Sequence, residues 1–427
     1  MRNNTSWLQH IPKHWEVKRL KDLGFFYGGL SGKSGDDFQC EDENIIKPFI
    51  PYTNILNNFY VNSQVVKFVL INDNEEQNKV QKGDLLFLMS SEDYESIAKA
   101  SVFCEDVDVM YLNSFCKGLR ITNKNVYSPF LCYVLSNDDC RDAIRLEAQG
   151  FTRINIKTGK VASASIPLPP LSEQEKIARY LDTKVGDIDQ KVSLIEKKIE
   201  RYQLLKKSII NKVVTKGLHP EAPLKESQIS WLGQIPEHWE VKRFKSIART
   251  IKGKVVEYFD TPSDDANIVL TVDTLRNDNP QFLNYAVTSD TDQLCKVNDI
   301  IVIWDGAGVG EFLRAKEGLI SSTTARIDVN KSIVNKDYFW YFGDKIEEIM
   351  KHMPTGMGIP HLNPIILSNM QFTLPPLSEQ QEIVSYLDQR CADIDAIIAN
   401  CTAQIEKYKT LKRALINEVV TGQRTIE

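Results

Sequence analysis

The sequence predicts an α+β protein in which two pseudo-two-fold related α/β domains are joined by two long antiparallel coiled-coil helices. Three observations predict it. A helical stretch, Leu171–Thr215, is written again at Leu377–Thr421, offset by 206 residues without a gap. A shorter lead-in, Ser6–Leu23, returns as Ser230–Ile247, offset by 224. The segments enclosed by these repeats, about 24–166 and 248–372, barely resemble each other.

The first lead-in reads SWLQHIPKHWEVKRLKDL and the second SWLGQIPEHWEVKRFKSI. His14 and His238 sit beside Trp15 and Trp239 in a shared I-P-x-H-W-E, where they are expected to cap and pack. The first variable segment then carries strand-like runs at Pro48–Tyr52, Val65–Ile71, Asp84–Met89 and Ser101–Phe103, with a helix near Pro129–Leu135. In the second, Val269–Val272, Asp299–Trp304 and Thr324–Val329 read as strands and Lys336–Met350 as helix. A faint common skeleton survives. Lys82-Gly-Asp-Leu-Leu matches Val297-Asn-Asp-Ile-Ile, each starting a strand that runs into a polar loop. Gly150-Phe-Thr-Arg-Ile-Asn-Ile lies at the helix offset from Gly356-Met-Gly-Ile-Pro-His-Leu.

Each long helix follows a Pro-Pro pair, Pro169–Pro170 or Pro375–Pro376, which cannot lie in a helix interior and so marks its start. Ser172 or Ser378 is the expected N-cap, with Glu175 or Gln381 completing a capping box. S-E-Q, Y-L-D, D-I-D, I-E-x-Y, L-K and I-N-x-V-V-T stay in register between the copies. Apolar residues recur in steps of mostly three and four, including Ile177, Leu181, Ile188, Ile195, Ile199 and Tyr202. The second copy repeats the stripe at Ile383, Leu387, Ile394, Ile405, Tyr408 and Leu411. A narrow stripe flanked by charge is the pattern of a coiled coil, and these residues are the expected helix-pairing and partner-binding set. A helix over 172–215 spans ~66 Å at 1.5 Å per residue. The expected divisions are therefore 1–167, 168–217, 218–373 and 374–427, alternating domain and helix.

Length, 427 residues, allows two or three domains. No apolar run approaches the ~20 residues of a membrane span, and MRNNTSWLQH is not a secretory signal, so a cytoplasmic location and no membrane partner are expected. The eight cysteines form no C-x-x-C and no cluster at zinc spacing, so no metal site is expected. Their scatter suits buried thiols in a reducing compartment. The net charge of −5 weighs mildly against nucleic acid, although binding depends on where the basic residues lie.

Catalytic signals are absent. There is no G-x-x-x-x-G-K-[ST], and the Pro-Pro pairs stand in L-P-P-L rather than in an adenine methyltransferase signature. Asp305-Gly-Ala-Gly-Val-Gly310 lacks the dinucleotide-binding glycine spacing, and no clear helix follows it. No Ser/His/Asp or paired-carboxylate arrangement stands out. Binding signals are diffuse but present. Polar loops carry Lys33, Asn54, Ser90, Ser91, Arg153 and Asn155 in the first domain, and Lys252, Lys254, Arg276, Arg314 and His361 in the second. Arg and Lys match guanine edges or phosphates and Asn matches adenine, so these are the candidate DNA contacts. Lys197, Lys198, Arg201, Lys206, Lys207 and Lys212 make the later turns of the first helix basic, which suits either a solvated flank or contact with DNA or a partner.

The lead-in W-L-x-x-I-P-x-H-W-E-V-K-R, the G-D-L-L strand and the I-P-L-P-P-L-S-E-Q start of a long helix resemble the specificity subunit of type I restriction–modification enzymes. The resemblance extends over the whole chain and is weak inside the domains, where specificity varies. It implies two target-recognition domains, each binding half of a split double-stranded DNA site. It further implies two methylation subunits docked on the helices and restriction subunits joining them. S-adenosylmethionine, ATP and magnesium would belong to those partners, with no cofactor in this chain. Two alternatives stay open at this point: a coiled-coil assembly adaptor without sequence-specific DNA binding, and an enzyme using the Gly306–Gly310 loop.

Overall fold

Two proline pairs set the frame. In the computed structural model, helices begin directly after them and run over Leu171–Lys216 and Leu377–Val420, 46 and 44 residues. The structure describes residues 6–9, 11–39, 46–72, 74–229, 231–280, 282–353 and 358–426, so Ser230, Gly356 and Met357 of the repeats lie outside it. The expected serine caps are not used. Each helix starts one residue before its serine, and the Pro170 carbonyl accepts from the amides of Glu173 (2.9 Å) and Gln174 (3.0 Å). Pro376 accepts from Gln380 in the same way (2.9 Å). Pro170 and Pro376 stand at the N-cap position, where a side chain without a polar atom offers the first turn only its backbone carbonyl. Glu175 pairs instead with Arg179 at 2.9 Å.

The chain divides into two compact units. One comprises Met1–Lys197 with Cys401–Glu427, the other Lys198–Asn400, so each unit holds one domain with a part of both long helices.

In the first unit, a four-stranded antiparallel sheet runs Gly24–Gly28, Cys116–Ile121, Leu85–Leu88, Ala100–Val102. A second sheet runs Lys67–Leu70, Ile46–Ile50, Tyr111–Leu112. The second unit repeats the first arrangement as Ala248–Lys252, Thr324–Val329, Ile300–Ile303, Phe312–Arg314. The matched Lys82 and Val297 skeletons therefore lead into equivalent central strands, Leu85–Leu88 and Ile300–Ile303, both wholly buried. Lys336–Met350 is not one helix but two, Lys336–Trp340 and Gly343–His352.

Lead-in and helix start are one device. Glu16–Arg19 pairs antiparallel with Ser165–Leu168, from Glu16↔Leu168 to Arg19↔Ser165. Glu240–Arg243 pairs with Gln371–Leu374 in the same register. Each variable domain is thus closed by its own first and last strands. The next turn locks that closure. Glu173 accepts from Trp15 Nε1 (3.1 Å) and lies 3.0 Å from His14 Nε2; Glu379 repeats this with Trp239 (3.0 Å) and His238 (2.8 Å). The neighbouring Gln174, fully buried, accepts from the Tyr127 amide (2.9 Å) and donates to the carbonyls of Asn125 (2.9 Å) and Pro169 (2.7 Å). Gln380 makes the equivalent three bonds to Asn335, Ile333 and Pro375. S-E-Q therefore ties the helix to the lead-in through Glu and to the domain through Gln.

One turn of contact lies further along each helix. Asp182 of the Y-L-D motif accepts from Tyr60 (2.7 Å) and Tyr133 (2.8 Å), and Asp388 accepts from Tyr341 (2.5 Å). Burial, reinforced by these carboxylates, pushes all three phenols above their ordinary value.

The helices pair antiparallel within each unit. Ile177, Ala178, Leu181 and Ile188 share a core with Leu415, Ile416, Val419 and Val420, together with Trp15 and Phe130. In the other unit Val213 and Val214 join Ile383, Val384 and Leu387. Asp189 pairs with Lys412 at 2.7 Å and Asp395 with Lys206 at 2.7 Å, a reciprocal pair at equivalent positions. The stripe is not evenly covered. Ile177, Leu181, Ile188, Ile383, Leu387, Ile394 and Ile405 are buried, Ile195, Ile199, Tyr202 and Tyr408 are half-buried, and Leu411 is exposed. The seven described cysteines are free thiols, all buried except the half-buried Cys104.

Gln174→Ala should destabilise the first unit by about 2 kcal/mol, because it strands the buried Pro169 carbonyl and the part-buried Tyr127 amide and Asn125 carbonyl. The urea-unfolding midpoint measures this, and an unchanged midpoint would remove the clamp from the account of the fold.

Candidate nucleic-acid interface

Beyond each central strand the chain meets a returning segment at the same place. In the first domain Ser90–Ser91 follows Leu85–Leu88 and pairs with Ile154–Asn155, as Ser90↔Asn155 and Ser91↔Ile154. In the second, Asp305 is bridged to His361. The backbone anchors correspond too: Ile156 donates to the Met89 carbonyl (3.1 Å) and Leu362 to that of Trp304 (2.8 Å). Asn155 is exposed between the buried Ile154 and Ile156, and His361 is exposed beside the buried Leu362. Alternation along an extended segment puts the apolar residues inward and the polar one outward.

The first-domain edge is shaped by a tight hairpin. Gln149 and Asn155 exchange two backbone bonds of 2.9 and 2.8 Å. Gly150 takes a φ of +140°, and a Cβ there would stand 2.0 Å from the Arg153 carbonyl oxygen, so glycine is required. Phe151 at the tip is fully exposed. Arg153 lies over the exposed Phe115 ring at 4.3 Å, and Asn155 Nδ2 donates to the Arg153 carbonyl at 3.1 Å. Tyr52 donates to Ser91 Oγ at 3.1 Å, while Ser90 Oγ is buried with no protein partner. The second-domain edge is ionic. Asp305 is 2.6 Å from His361 Nδ1 and 3.1 Å from Lys252 Nζ, and Lys252 lies over Trp304 at 5.5 Å.

The structure thus gathers Ser90, Ser91, Arg153 and Asn155 at one edge, and Lys252 and His361 at the other. The remaining candidates lie apart from these clusters. The Lys33 side chain is buried, 2.5 Å from Glu75, whose carboxyl it holds below the ordinary range. Asn54 is buried and donates to the carbonyls of Asn62 (2.8 Å) and Val65 (2.7 Å). Lys254 pairs with Asp290 at 2.6 Å, and Arg276 pairs with Glu311. Arg314 pairs with Asp337 at 2.9 Å and lies over Trp340.

Sequence reasoning missed Lys117. In the first sheet Gly28 faces Lys117, and in the second Lys252 faces Ala325. The equivalent rung carries one lysine in each domain, on opposite strands. No offset relates the two lysines, so only the pairing reveals them. Missed as well were Phe115, Phe151 and the Asp305–Lys252 contact.

The Gly306–Gly310 loop is a turn and not a cradle. Val309 and Gly310 donate back to the carbonyls of Gly306 and Ile303, and the strand Phe312–Arg314 follows where a nucleotide fold would open a helix. A Cβ on Gly310 would come within 2.6 Å of Met350, so the turn is packed against the helix Gly343–His352. Among the described residues no group of three or more His, Cys, Asp or Glu side chains could hold a metal ion, and no helix is long and apolar enough to cross a membrane.

Two domains with one framework and different edges match a known pattern. The family model for the type I restriction modification DNA specificity domain matches residues 12–201 and again 236–407. The chain belongs to this family. The MjaVIII specificity subunit of a Methanocaldococcus jannaschii type I restriction enzyme is 29% identical over 189 residues, 44% of this chain and 43% of that protein. The StySPI specificity subunit of Salmonella potsdam is 21% identical over 98% of this chain and 90% of its own length. A solved chain from work on complex assembly and conformational transition of the type I R-M system superposes with a TM-score of 0.74, at 18% identity, over 97% of this chain and 99% of that one. The DNA specificity domain is therefore present twice.

Gly150→Ala should disrupt the hairpin while the long helices and the Leu85–Leu88 core persist. Circular dichroism should then be nearly unchanged and sequence-selective DNA binding by the first domain lost. Full selectivity in this variant would show that the hairpin is not part of the interface.

Proposed function

We propose that this chain is the DNA-reading subunit of a type I restriction–modification complex, with each domain recognising one half of a split double-stranded site. The observation that carries this is the duplicated frame around two differing edges. Equivalent strands, clamps and helix contacts hold Ser90–Asn155 in one domain and Asp305–His361 in the other. A binding module that keeps its scaffold and varies its exposed polar groups is built to recognise two different sequences. Arg153, Lys117 and Lys252 supply the positive charge that a phosphate backbone requires near such edges.

In this reading the chain is not itself catalytic. Two methylation subunits dock on the long helices, where the duplicated surface offers two equivalent places. They carry S-adenosylmethionine and extrude the target adenine for N6-methylation. Restriction subunits, with ATP and magnesium, complete the assembly. The chain works in the cytoplasm, where its DNA and partners are.

Replacing residues 24–166 by the corresponding segment of a relative should change one half of the methylated site and leave the other. Sequencing methylated sites measures this, and a swap that altered both halves would end the one-domain, one-half-site assignment. Purified alone, the chain should transfer no methyl group from S-adenosylmethionine to DNA. Measurable turnover by a clean preparation would end the non-catalytic assignment.

A further inference from the structure

We infer that positions 155 and 361 mark the equivalent base-reading edges of the two domains, Asn155 reading an adenine and Lys252, positioned by His361 through Asp305, reading a guanine. The inference rests on the DNA-reading function proposed above and deepens it to particular residues and bases.

Three observations converge on these positions. The first is topological: Asn155 and His361 are separated by the same offset as the long helices, and each lies opposite the second residue after its central strand, Ser90 or Asp305. The second is rigidity. Asn155 is held by both backbone bonds to Gln149 and by the Ile156–Met89 bond, while the segment at His361 is held by Leu362 on Trp304 and by Gly306 donating to the Pro360 carbonyl (2.9 Å). Readout needs a side chain whose backbone is placed before DNA arrives, since ordering it afterwards costs affinity. The third is direction. Both side chains are exposed next to buried apolar neighbours, so they face outward from an anchored edge.

The chemistry of the two edges differs. A carboxamide presents a donor and an acceptor side by side, which match adenine N7 and N6 in the major groove. Asn155 is flanked by Arg153, whose guanidinium is stacked on Phe115 and placed to take a phosphate. At the second edge the Asp305 carboxylate holds both the imidazole and the Lys252 ammonium, which remains about half exposed. A lysine ammonium has three donors and no acceptor, and the major-groove edge it matches is guanine O6 and N7. His361 fixes Asp305, which fixes the lysine, so exchange of His361 should alter the same base position as exchange of Lys252.

The test uses the full chain assembled with its methylation subunits and reads the methylated sites by sequencing. Asn155→Ala should lower discrimination at one A·T position of one half-site by about ten- to a hundredfold, the value of a lost bidentate contact. The other half-site should be untouched. Lys252→Ala and His361→Asn should each relax one and the same G·C position in the opposite half-site. Should a variant fail to fold, the unaltered complex on duplexes carrying 7-deazaadenine or 7-deazaguanine at those positions gives the same reading, with binding weakened only there. A motif indifferent to all three substitutions and to the base analogues overturns this inference alone. Absence of any methylated motif with the unaltered chain overturns the function beneath it and the inference with it.

Discussion

The first turn of each long helix is where the architecture is decided. Glu173 and Gln174 are adjacent in sequence and point to different parts of the domain, one to the lead-in Trp15 and His14, the other to the backbone at Asn125 and Tyr127. A carboxylate at a helix N-terminus is favoured by the helix dipole, so Glu173 can serve as acceptor without a cationic partner. Gln174 has no such help and is buried, so its bonds must all be satisfied; they are, by backbone groups that every side chain except proline at 127 leaves in place. With Glu379 and Gln380 repeating the arrangement, the variable domain can change its side chains freely as long as its backbone returns to these points.

The next contact along the helix shows how that freedom is used. Asp182 takes two phenols from its domain, Tyr60 and Tyr133, where Asp388 takes one, Tyr341. The acceptor belongs to the repeated helix and the donors to the variable domain. A framework that supplies acceptors on a rigid rod lets unrelated domain sequences dock through whatever donors they have. The same division holds at the polar edge beyond the central strands. Central strands of identical placement are filled by different residues, Leu-Leu-Phe-Leu and Ile-Ile-Val-Ile, and the polar groups that differ sit immediately beyond them.

Legibility in the sequence followed periodicity and repetition. The long helices announced themselves through prolines and a sustained apolar stripe, and the two central strands through apolar runs after an aspartate. The strand Gly24–Gly28 was hidden because its GFFYG lacks the alternation of a half-buried strand and has glycine at both ends. The break between Trp340 and Gly343 was hidden because the apolar spacing continues across it. At the interface, the helix offset already placed Asn155 against His361. Burial of Lys33 and Asn54 was not legible, since their partners, Glu75 for one and the carbonyls of Asn62 and Val65 for the other, come from loops whose approach only the fold determines.

The net charge of −5 takes on a specific meaning in this setting. Among the described residues, Lys252, Lys254, Arg276 and Arg314 each have a carboxylate partner: Asp305, Asp290, Glu311 and Asp337. Exposed pairs of this kind contribute little to stability, so phosphates or base edges can displace the carboxylates. In the structure these carboxylates hold the cations in place and offset their field. On the proposed reading, nonspecific attraction, which is almost wholly phosphate electrostatics, is thereby kept low. Discrimination is then left to the few groups that touch bases, which is the division a reader of short half-sites needs: weak hold on every sequence, and a large difference between the right one and the rest.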